Sequence, residues 1–163
     1  MSIIRAMEKK DIEAVYRIEV QSFRTPWSKQ SLTGELHNRV AHYLVMEQDD
    51  AIIGYCGMWV LFDEAHITNI AIDPQFRGKG FGKQLLYAAM QTAYDFDACK
   101  MTLEVRETNA VAQAMYAKFD FTQQGYRKRY YEDTGEGALL LWNNDLQKTL
   151  QNKACIAASY VLQ

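Results

Sequence analysis

Apolar residues recur with two different spacings along the chain, and each spacing predicts one kind of element. In CKMTLEVRE, residues 99–107, apolar and polar residues alternate, which is typical of a strand with one buried face. In GKQLLYAAM, residues 82–90, apolar residues recur three and four positions apart, which is typical of a helix with one buried side. The two spacings together predict an α/β chain.

Seven strands and four helices are predicted in this way. Their order, strand–helix–strand–helix in the middle with consecutive strands on either side, predicts a mixed sheet with helices on both faces. Gly54 and Gly57 within the third strand predict a bulge or a close backbone contact. We expect one domain over residues 1–150, whereas the tail 151–163 has no clear period and is left unassigned. The predicted strands are 2–7, 41–47, 51–62, 64–72, 99–107, 121–131 and 138–142, and the predicted helices are 8–23, 28–38, one after Gly82 and one capped by Asn109.

The composition is that of an ordinary globular domain and argues against several classes of function. With 163 residues, 48% apolar and 23% charged, the chain is long enough to bury a sizeable core. A formal net charge of −2 argues against a general binder of nucleic acids or membranes. No apolar run approaches the roughly 18 residues that span a bilayer. We expect a cytoplasmic protein, because the N-terminus lacks the pattern of a signal peptide.

The cysteines and histidines predict neither a disulfide framework nor a metal site. Cys56, Cys99 and Cys155 are odd in number, widely spaced and outside any CxxC motif, which suits reduced thiols in the cytoplasm. The three histidines show no metal-ligand spacing, and we expect structural or surface positions for them.

A basic glycine loop, QFRGKGFGKQ at residues 75–84, joins a predicted strand to the helix after it. Such a loop turns several backbone N–H groups toward one anion, and the helix N-terminus adds partial positive charge. The P-loop pattern fails because Gln84 stands where Ser or Thr is required, and the dinucleotide-binding pattern fails at Lys83. Arg77, Gly80 and Gly82 fit the pattern Arg/Gln-x-x-Gly-x-Gly/Ala. A plain turn between strand and helix remains the alternative.

Several residues stand out by their position, each with an ordinary structural alternative. Glu19 falls on the apolar stripe of the first helix, where it lines either a substrate pocket or a partly exposed helix edge. Trp27, after Pro26, is either a pocket wall or a core anchor. Tyr116, taken alone, is an ordinary core tyrosine on an apolar helix stripe.

Further motifs accompany the glycine loop: NIAIDP at 69–74, LEVR at 103–106, NA at 109–110, MY at 115–116, PWS at 26–28 and YY at 130–131. From about residue 3 to residue 142 the chain resembles the GNAT superfamily of N-acetyltransferases. Within it, the chain is most similar to the bacterial ribosomal-protein-alanine N-acetyltransferases. The resemblance implies a GNAT fold with a central, mostly antiparallel sheet, acetyl-CoA as co-substrate and no metal.

The resemblance also implies the chemistry of two residues. Glu104, on the polar face of its strand, takes the proton of the acceptor amine as general base, acting through water. An α-amino group, whose ordinary pKa is about 7.7–8.0, needs only a modest base. Tyr116 donates a proton to the departing CoA sulfur. Because no cysteine is needed as an acyl carrier, we expect direct transfer in a ternary complex.

Acetyl-CoA and the acceptor each have an implied set of contacts. The backbone of Ile70, Ala71 and Ile72 holds the pantetheine arm like an added strand and polarises the acetyl carbonyl. Asn109 contacts the CoA arm, with a purely helix-capping role as the alternative. The pyrophosphate is held by Arg77, Gly78, Lys79, Gly80, Phe81, Gly82 and Lys83. The extended N-terminus of a ribosomal protein lies between Glu19, Trp27, Tyr130 and Tyr131. The alternative for these last four is that they are ordinary core or surface residues.

Two departures from the family and three rival functions stay open. Gly137 stands where these enzymes usually carry aspartate, and the tail after Leu150 is longer than theirs. A lysine side chain or a small amine is the alternative acceptor, and an inactive acyl-CoA sensor is a further alternative. The basic run 127–131 with two tyrosines resembles single-strand nucleic-acid binders, but the acidic overall charge argues against that function. No nucleic-acid or membrane partner is expected, and the oligomeric state is not indicated.

Overall fold

The computed structural model describes residues 1–163, which form one eight-stranded sheet flanked by helices. The α/β architecture predicted from the two apolar spacings is confirmed. The strands are β1 (Ser2–Ala6), β2 (Ala41–Gln48), β3 (Ala51–Leu61), β4 (Glu64–Ile72), β5 (Lys100–Arg106), β6 (Thr122–Arg127), β7 (Ala138–Asn143) and β8 (Tyr160–Leu162). The helices are α1 (Ile12–Ser22), α2 (Lys29–Glu35), α3 (Phe81–Asp95), α4 (Ala110–Lys118) and α5 (Leu146–Asn152).

The sheet has the order β6-β7-β5-β4-β3-β2-β1-β8 and is mostly antiparallel, as the resemblance implied. Only β4/β5 and β1/β8 run parallel. The parallel neighbours β4 and β5 are connected through α3, since a crossover is required between parallel strands. The glycine loop therefore lies at the end of a central strand.

The helices cover both faces of the sheet, as predicted. On one face, Leu85 and Leu86 of α3, Tyr116 of α4 and Leu150 of α5 belong to a core of 27 buried residues. On the other face, the apolar sides of α1 and α2 form a smaller core of nine buried residues with β2 and β3. The predicted stripe of α3 is buried as its three- and four-residue spacing indicated, whereas Phe23 of the first predicted stripe is exposed and α5 was not predicted.

A β-bulge interrupts the pairing of β3 with β4, as the glycines predicted. Gly57 pairs with Asn69 and Met58 pairs with Ile67, so Thr68 is an extra residue in β4. A side chain at position 57 would collide with the ring of Tyr43 and with the Asn69 side chain, which explains the glycine. The bulge bends β4 immediately before the segment that leads to the glycine loop.

Two element boundaries differ from the predictions for local reasons. The first helix begins at Ile12 rather than at residue 8, because a 3₁₀ turn, Lys9–Asp11, precedes it and a reciprocal capping box of Glu8 and Asp11 closes that turn. The prediction of a strand reaching residue 131 is wrong in extent: β6 ends at Arg127, and Arg129 has a left-handed φ of 53° that a strand does not allow. Tyr130 and Tyr131 therefore lie on a loop.

The tail that the sequence left unassigned continues the fold. It completes α5, forms a 3₁₀ segment, Ala154–Ser159, and ends as β8 beside β1, with Ser2 opposite Tyr160. No helix in this structure is both long and apolar enough to cross a membrane.

Candidate active site

Strands β4 and β5 diverge in the middle of the sheet. They pair only from Glu64 opposite Lys100 to His66 opposite Thr102. Beyond that point β4 stays paired with β3 and β5 stays paired with β7. Residues 67–72 and 103–106 therefore border a gap, and an edge of this kind binds an extended group as an added strand. Ile70, Ala71 and Ile72, predicted to bind the CoA arm, lie on this edge.

Glu104 lies on β5 just beyond Thr102, the last residue of β5 that pairs with β4. Its neighbours Leu103 and Val105 belong to the larger core, so Glu104 points to the opposite face, which carries α1 and α2. Its Oε2 lies 2.7 Å from Nε2 of His66 on β4. The hydrogen bond from His66 lowers the pKa of Glu104 below its ordinary value, against the opposing effect of partial burial. Glu104 is therefore a half-buried carboxylate that is held ionised and is able to accept a proton.

Tyr116 lies in the larger core, on the other face of the sheet from Glu104. Its ring packs edge-on against Phe121, with centroids 5.6 Å apart. Burial raises the pKa of the Tyr116 hydroxyl above its ordinary value, so the hydroxyl stays protonated and can donate. The two residues predicted to be catalytic thus lie on opposite faces of a sheet that the β4/β5 gap interrupts.

The glycine loop leaves the N-terminus of α3 open. Gly78 and Gly80 have φ angles of 77° and 87°, which glycine adopts without strain. Gly80 is the N-cap of α3 and offers no side chain to the first helical N–H groups. These donors, beside the exposed Lys79 and Lys83, are free to bind a phosphate. The loop therefore has the geometry of an anion site.

Arg77 is engaged within the chain. Its Nε donates to the carbonyl of Ile72 at 2.9 Å, and Nη2 donates to Oγ of Ser22 at 2.9 Å. The guanidinium thus ties the loop to the end of β4 and to α1. Any contact of Arg77 with a phosphate has to use its remaining N–H groups.

Replacing Gly80 with alanine is expected to weaken acetyl-CoA binding by roughly tenfold, because a left-handed backbone costs about 1–2 kcal/mol for a residue with a Cβ atom. No atom of the chain lies within 4 Å of the added Cβ, so crowding cannot explain a loss. Calorimetric titration with acetyl-CoA measures the effect. Gly34→Ala in α2, also in open space, is the matched control and should leave the affinity unchanged. Equal affinities for the two variants would contradict the role of the loop.

Asn109 has the capping geometry given above as its alternative role. Its Oδ1 accepts from the N–H of Ala112 at 3.2 Å, at the start of α4. The middle of α4 lies beside the beginning of α3, since a Cβ at position 82 would lie 3.4 Å from Sδ of Met115. A role of Asn109 toward the CoA arm stays a prediction.

Glu19 and Trp27 are connected through a backbone contact. The Trp27 N–H donates to Oε1 of Glu19 at 3.1 Å, while Oε2 is buried without a hydrogen-bond partner. Burial raises the pKa of Glu19 above its ordinary value. Glu19 is 1% exposed, so it lies beneath the surface and fixes the segment that carries Trp27. Trp27 itself is partly buried against the smaller core.

Tyr130 and Tyr131 form an edge-to-face pair with ring centroids 5.1 Å apart. Arg106 lies over the Tyr131 ring at 4.0 Å and binds both carboxylate oxygens of Asp133, at 3.0 and 2.8 Å. Burial raises the pKa of Tyr131 to about 12. Tyr131 is thereby held within electrostatic range of Glu104, with Tyr130 packed against it. The roles of Arg106 and Asp133 were not predicted, because nothing in one sequence marks residues 27 positions apart as partners.

The space beside Gly137 is filled by another residue. A Cβ at position 137 would collide with the Tyr126 ring, whose hydroxyl donates to Oε2 of Glu107 at 2.7 Å. Tyr126 thus occupies the space into which a side chain at position 137 would project. This packing accounts for the glycine at position 137.

Comparison with known proteins agrees with this geometry. Residues 12–121 match the model of the Acetyltransferase (GNAT) family. A Bacillus subtilis (strain 168) protein assigned as a [ribosomal protein bS18]-alanine N-acetyltransferase is 47% identical over 140 residues, covering 85% of this chain and 93% of that protein. The [ribosomal protein bS18]-alanine N-acetyltransferase of Escherichia coli (strain K12) is 30% identical over 134 residues, covering 82% and 90%.

The fold comparison gives the same result. The crystal structure of the ribosomal-protein-S18-alanine N-acetyltransferase from Escherichia coli superimposes with a TM-score of 0.81 at 28% identity, covering 87% of this chain and 92% of that one. The family match spans more than half of the chain, and it includes both borders of the β4/β5 gap, the glycine loop and Tyr116. The chain therefore belongs to the GNAT family of acetyltransferases.

Proposed function

We propose that the chain transfers the acetyl group of acetyl-CoA to the N-terminal α-amino group of a protein, with the N-terminal alanine of a ribosomal protein as acceptor. The observation that carries the proposal is the position of Glu104 and Tyr116 on opposite faces of the sheet at the β4/β5 gap. The names of the relatives supply the acceptor. Modification of a ribosomal protein would take place in the cytoplasm.

The donor would bind from the face that carries α3 and α4. Acetyl-CoA supplies an acetyl group activated as a thioester. The N–H groups at the start of α3 would hold its pyrophosphate, with Lys79 and Lys83 beside them. The β4 edge at Ile70–Ile72 would hold the pantetheine arm, and its free backbone N–H groups would polarise the acetyl carbonyl.

Glu104 and Tyr116 would then divide the proton transfers. The ionised Glu104 takes the proton that the attacking amine loses as the C–N bond forms, and Tyr116 donates to the sulfur as the C–S bond breaks. Direct transfer is supported by the state of Cys56, the cysteine within electrostatic range of Tyr116. Burial raises the pKa of Cys56 to about 12, so it stays a thiol and a poor nucleophile.

The acceptor would approach from the opposite face, between the segment after α1 and the loop after β6. These two segments lie near each other, since Arg24 is close enough to Asp133 to contribute to lowering its pKa. Trp27, held through Glu19, would form one wall, and Tyr130 and Tyr131 the other. An extended protein N-terminus fits between two such walls, with its first amine directed to Glu104.

Two peptides of otherwise identical sequence test the acceptor. One begins with a free alanine, and the other has a blocked N-terminus and one internal lysine. We expect thiol release from acetyl-CoA only with the free alanine peptide. Turnover of the lysine peptide alone would contradict the proposed acceptor. Acetyl-CoA binding without turnover of either peptide would contradict it as well, and free polyamines would then be assayed.

A further inference from the structure

The contact between His66 and Glu104 has no role in the mechanism above. We propose that His66 is a positioning residue: its Nε2–H binds Oε2 of Glu104, fixes that carboxylate at the β4/β5 gap and leaves Oε1 to face the acceptor amine. The inference rests on the proposed role of Glu104 as general base. It assigns a function to a histidine for which the sequence predicted only a structural or surface position.

The geometry of the contact defines which atom carries the proton. Nε2 and Oε2 are 2.7 Å apart, the length of a charge-assisted hydrogen bond. An ionised carboxylate can only accept, so the imidazole presents Nε2–H to Glu104. This is the one hydrogen bond between the Glu104 carboxylate and another side chain, and it is made by Oε2. The contact therefore distinguishes the two carboxylate oxygens.

His66 is itself held in place from two directions. Its backbone is opposite Thr102 in the last pair of residues shared by β4 and β5, before the strands diverge. Its ring meets that of Trp59 edge-on, with centroids 6.2 Å apart. Trp59 is anchored in turn, since its Nε1–H donates to Oε2 of Glu35 on α2 at 2.6 Å. Glu104, which lies beyond the last pair, is thereby connected to the rigid part of the sheet.

The surroundings of Glu104 show why removing His66 matters. Partial burial opposes ionisation of Glu104, and the hydrogen bond from His66 is the largest effect that lowers its pKa. Arg127 on β6 lowers it further, and the phenol of Tyr131 also lies within electrostatic range of Glu104. Without His66, the charge of Arg127 and a backbone hydrogen bond are the remaining effects that lower the pKa of Glu104 against burial. The pKa of Glu104 should then rise toward, or above, its ordinary value.

Direct titration of Glu104 in the free enzyme tests the proposal. The side-chain carboxyl carbon is followed by NMR and assigned by its disappearance in Glu104→Gln. His66→Leu is expected to raise the titration midpoint by about one pH unit or more. In His66→Gln, the amide N–H can replace Nε2–H, so the midpoint should lie close to the wild-type value. His37→Gln, at an exposed position, is the matched control and should leave the midpoint unchanged.

Kinetics with any amine that the wild-type protein acetylates give the second readout. His66→Leu should lower kcat by about tenfold or more with an unchanged KM for acetyl-CoA, and His66→Gln should restore most of kcat. An unchanged midpoint in His66→Leu would overturn the proposal, as would equal losses of kcat in both variants. Because the titration needs no acceptor, its outcome is independent of whether the alanine peptide is the substrate.

Discussion

The Glu104→Gln variant is expected to lose roughly a hundred- to ten-thousandfold in kcat, the range that general base catalysis contributes. Glutamine keeps the volume of the side chain and can still bind His66, but it cannot accept a proton from the amine. Thiol release at saturating acetyl-CoA and acceptor measures the loss. Calorimetric titration should show unchanged acetyl-CoA affinity, since Glu104 lies on the face opposite the predicted donor site.

Glu107→Gln provides the control for this variant. Glu107 directly follows the same strand, and its replacement by glutamine removes the same charge. Its carboxylate, however, accepts a hydrogen bond from the exposed Tyr126 hydroxyl instead of facing the gap. We expect kcat within about twofold of wild type, because exposed contacts of this kind contribute little. If Glu104→Gln stayed as active as Glu107→Gln, the amine would lose its proton to another group, and the assignment of Glu104 as base would be wrong.

The Tyr116→Phe variant is expected to lower kcat by about a hundredfold, at the lower end of acid catalysis. The hydroxyl is protonated across the working range, because burial raises its pKa, so its removal deletes a donor rather than a charge. The ring keeps its contact with Phe121, and the fold should be retained. A rapid-mixing measurement of acetyl transfer in a single turnover separates this loss from product release.

The loss of a buried hydroxyl elsewhere in the chain is the matched comparison. Tyr87 donates to the carbonyl of Leu150 at 3.0 Å, between α3 and α5. Tyr87→Phe should lower the free energy of unfolding by about 1 kcal/mol and leave kcat unchanged. A Tyr116→Phe variant that lost stability but kept its turnover would show that Tyr116 is a core tyrosine, the structural alternative that its helix stripe allowed.

The site was predictable where its signal is local. The glycine loop is a continuous stretch, and its conformation follows from glycines that adopt positive φ. The alternation in β5 is enough to direct Glu104 away from the core, since the period of a strand is two residues. His66 and Arg106 were missed as site residues for the opposite reason. Their partners, Glu104 and Asp133, are 38 and 27 positions away.

The tertiary structure also changed the interpretation of residues that the sequence had marked. Glu19 was expected at a pocket or a helix edge, but it is buried beneath Trp27 and binds its backbone. The tyrosine pair was expected on a strand, but it lies on a loop held by Arg106 and Asp133. Both differences arise because side-chain contacts between distant segments outweigh the local preference of a short stretch.

By itself, the sequence determined the kinds and order of the elements up to β7, the glycine loop and the faces on which Glu104 and Tyr116 lie. These properties depend on spacing along one segment, and one segment contains the whole signal. Only the tertiary structure decided where β4 and β5 stop pairing, which residue holds Glu104, and that the tail adds an eighth strand beside β1. Strand register and contacts between segments depend on the packing of the whole chain, and no single stretch records them.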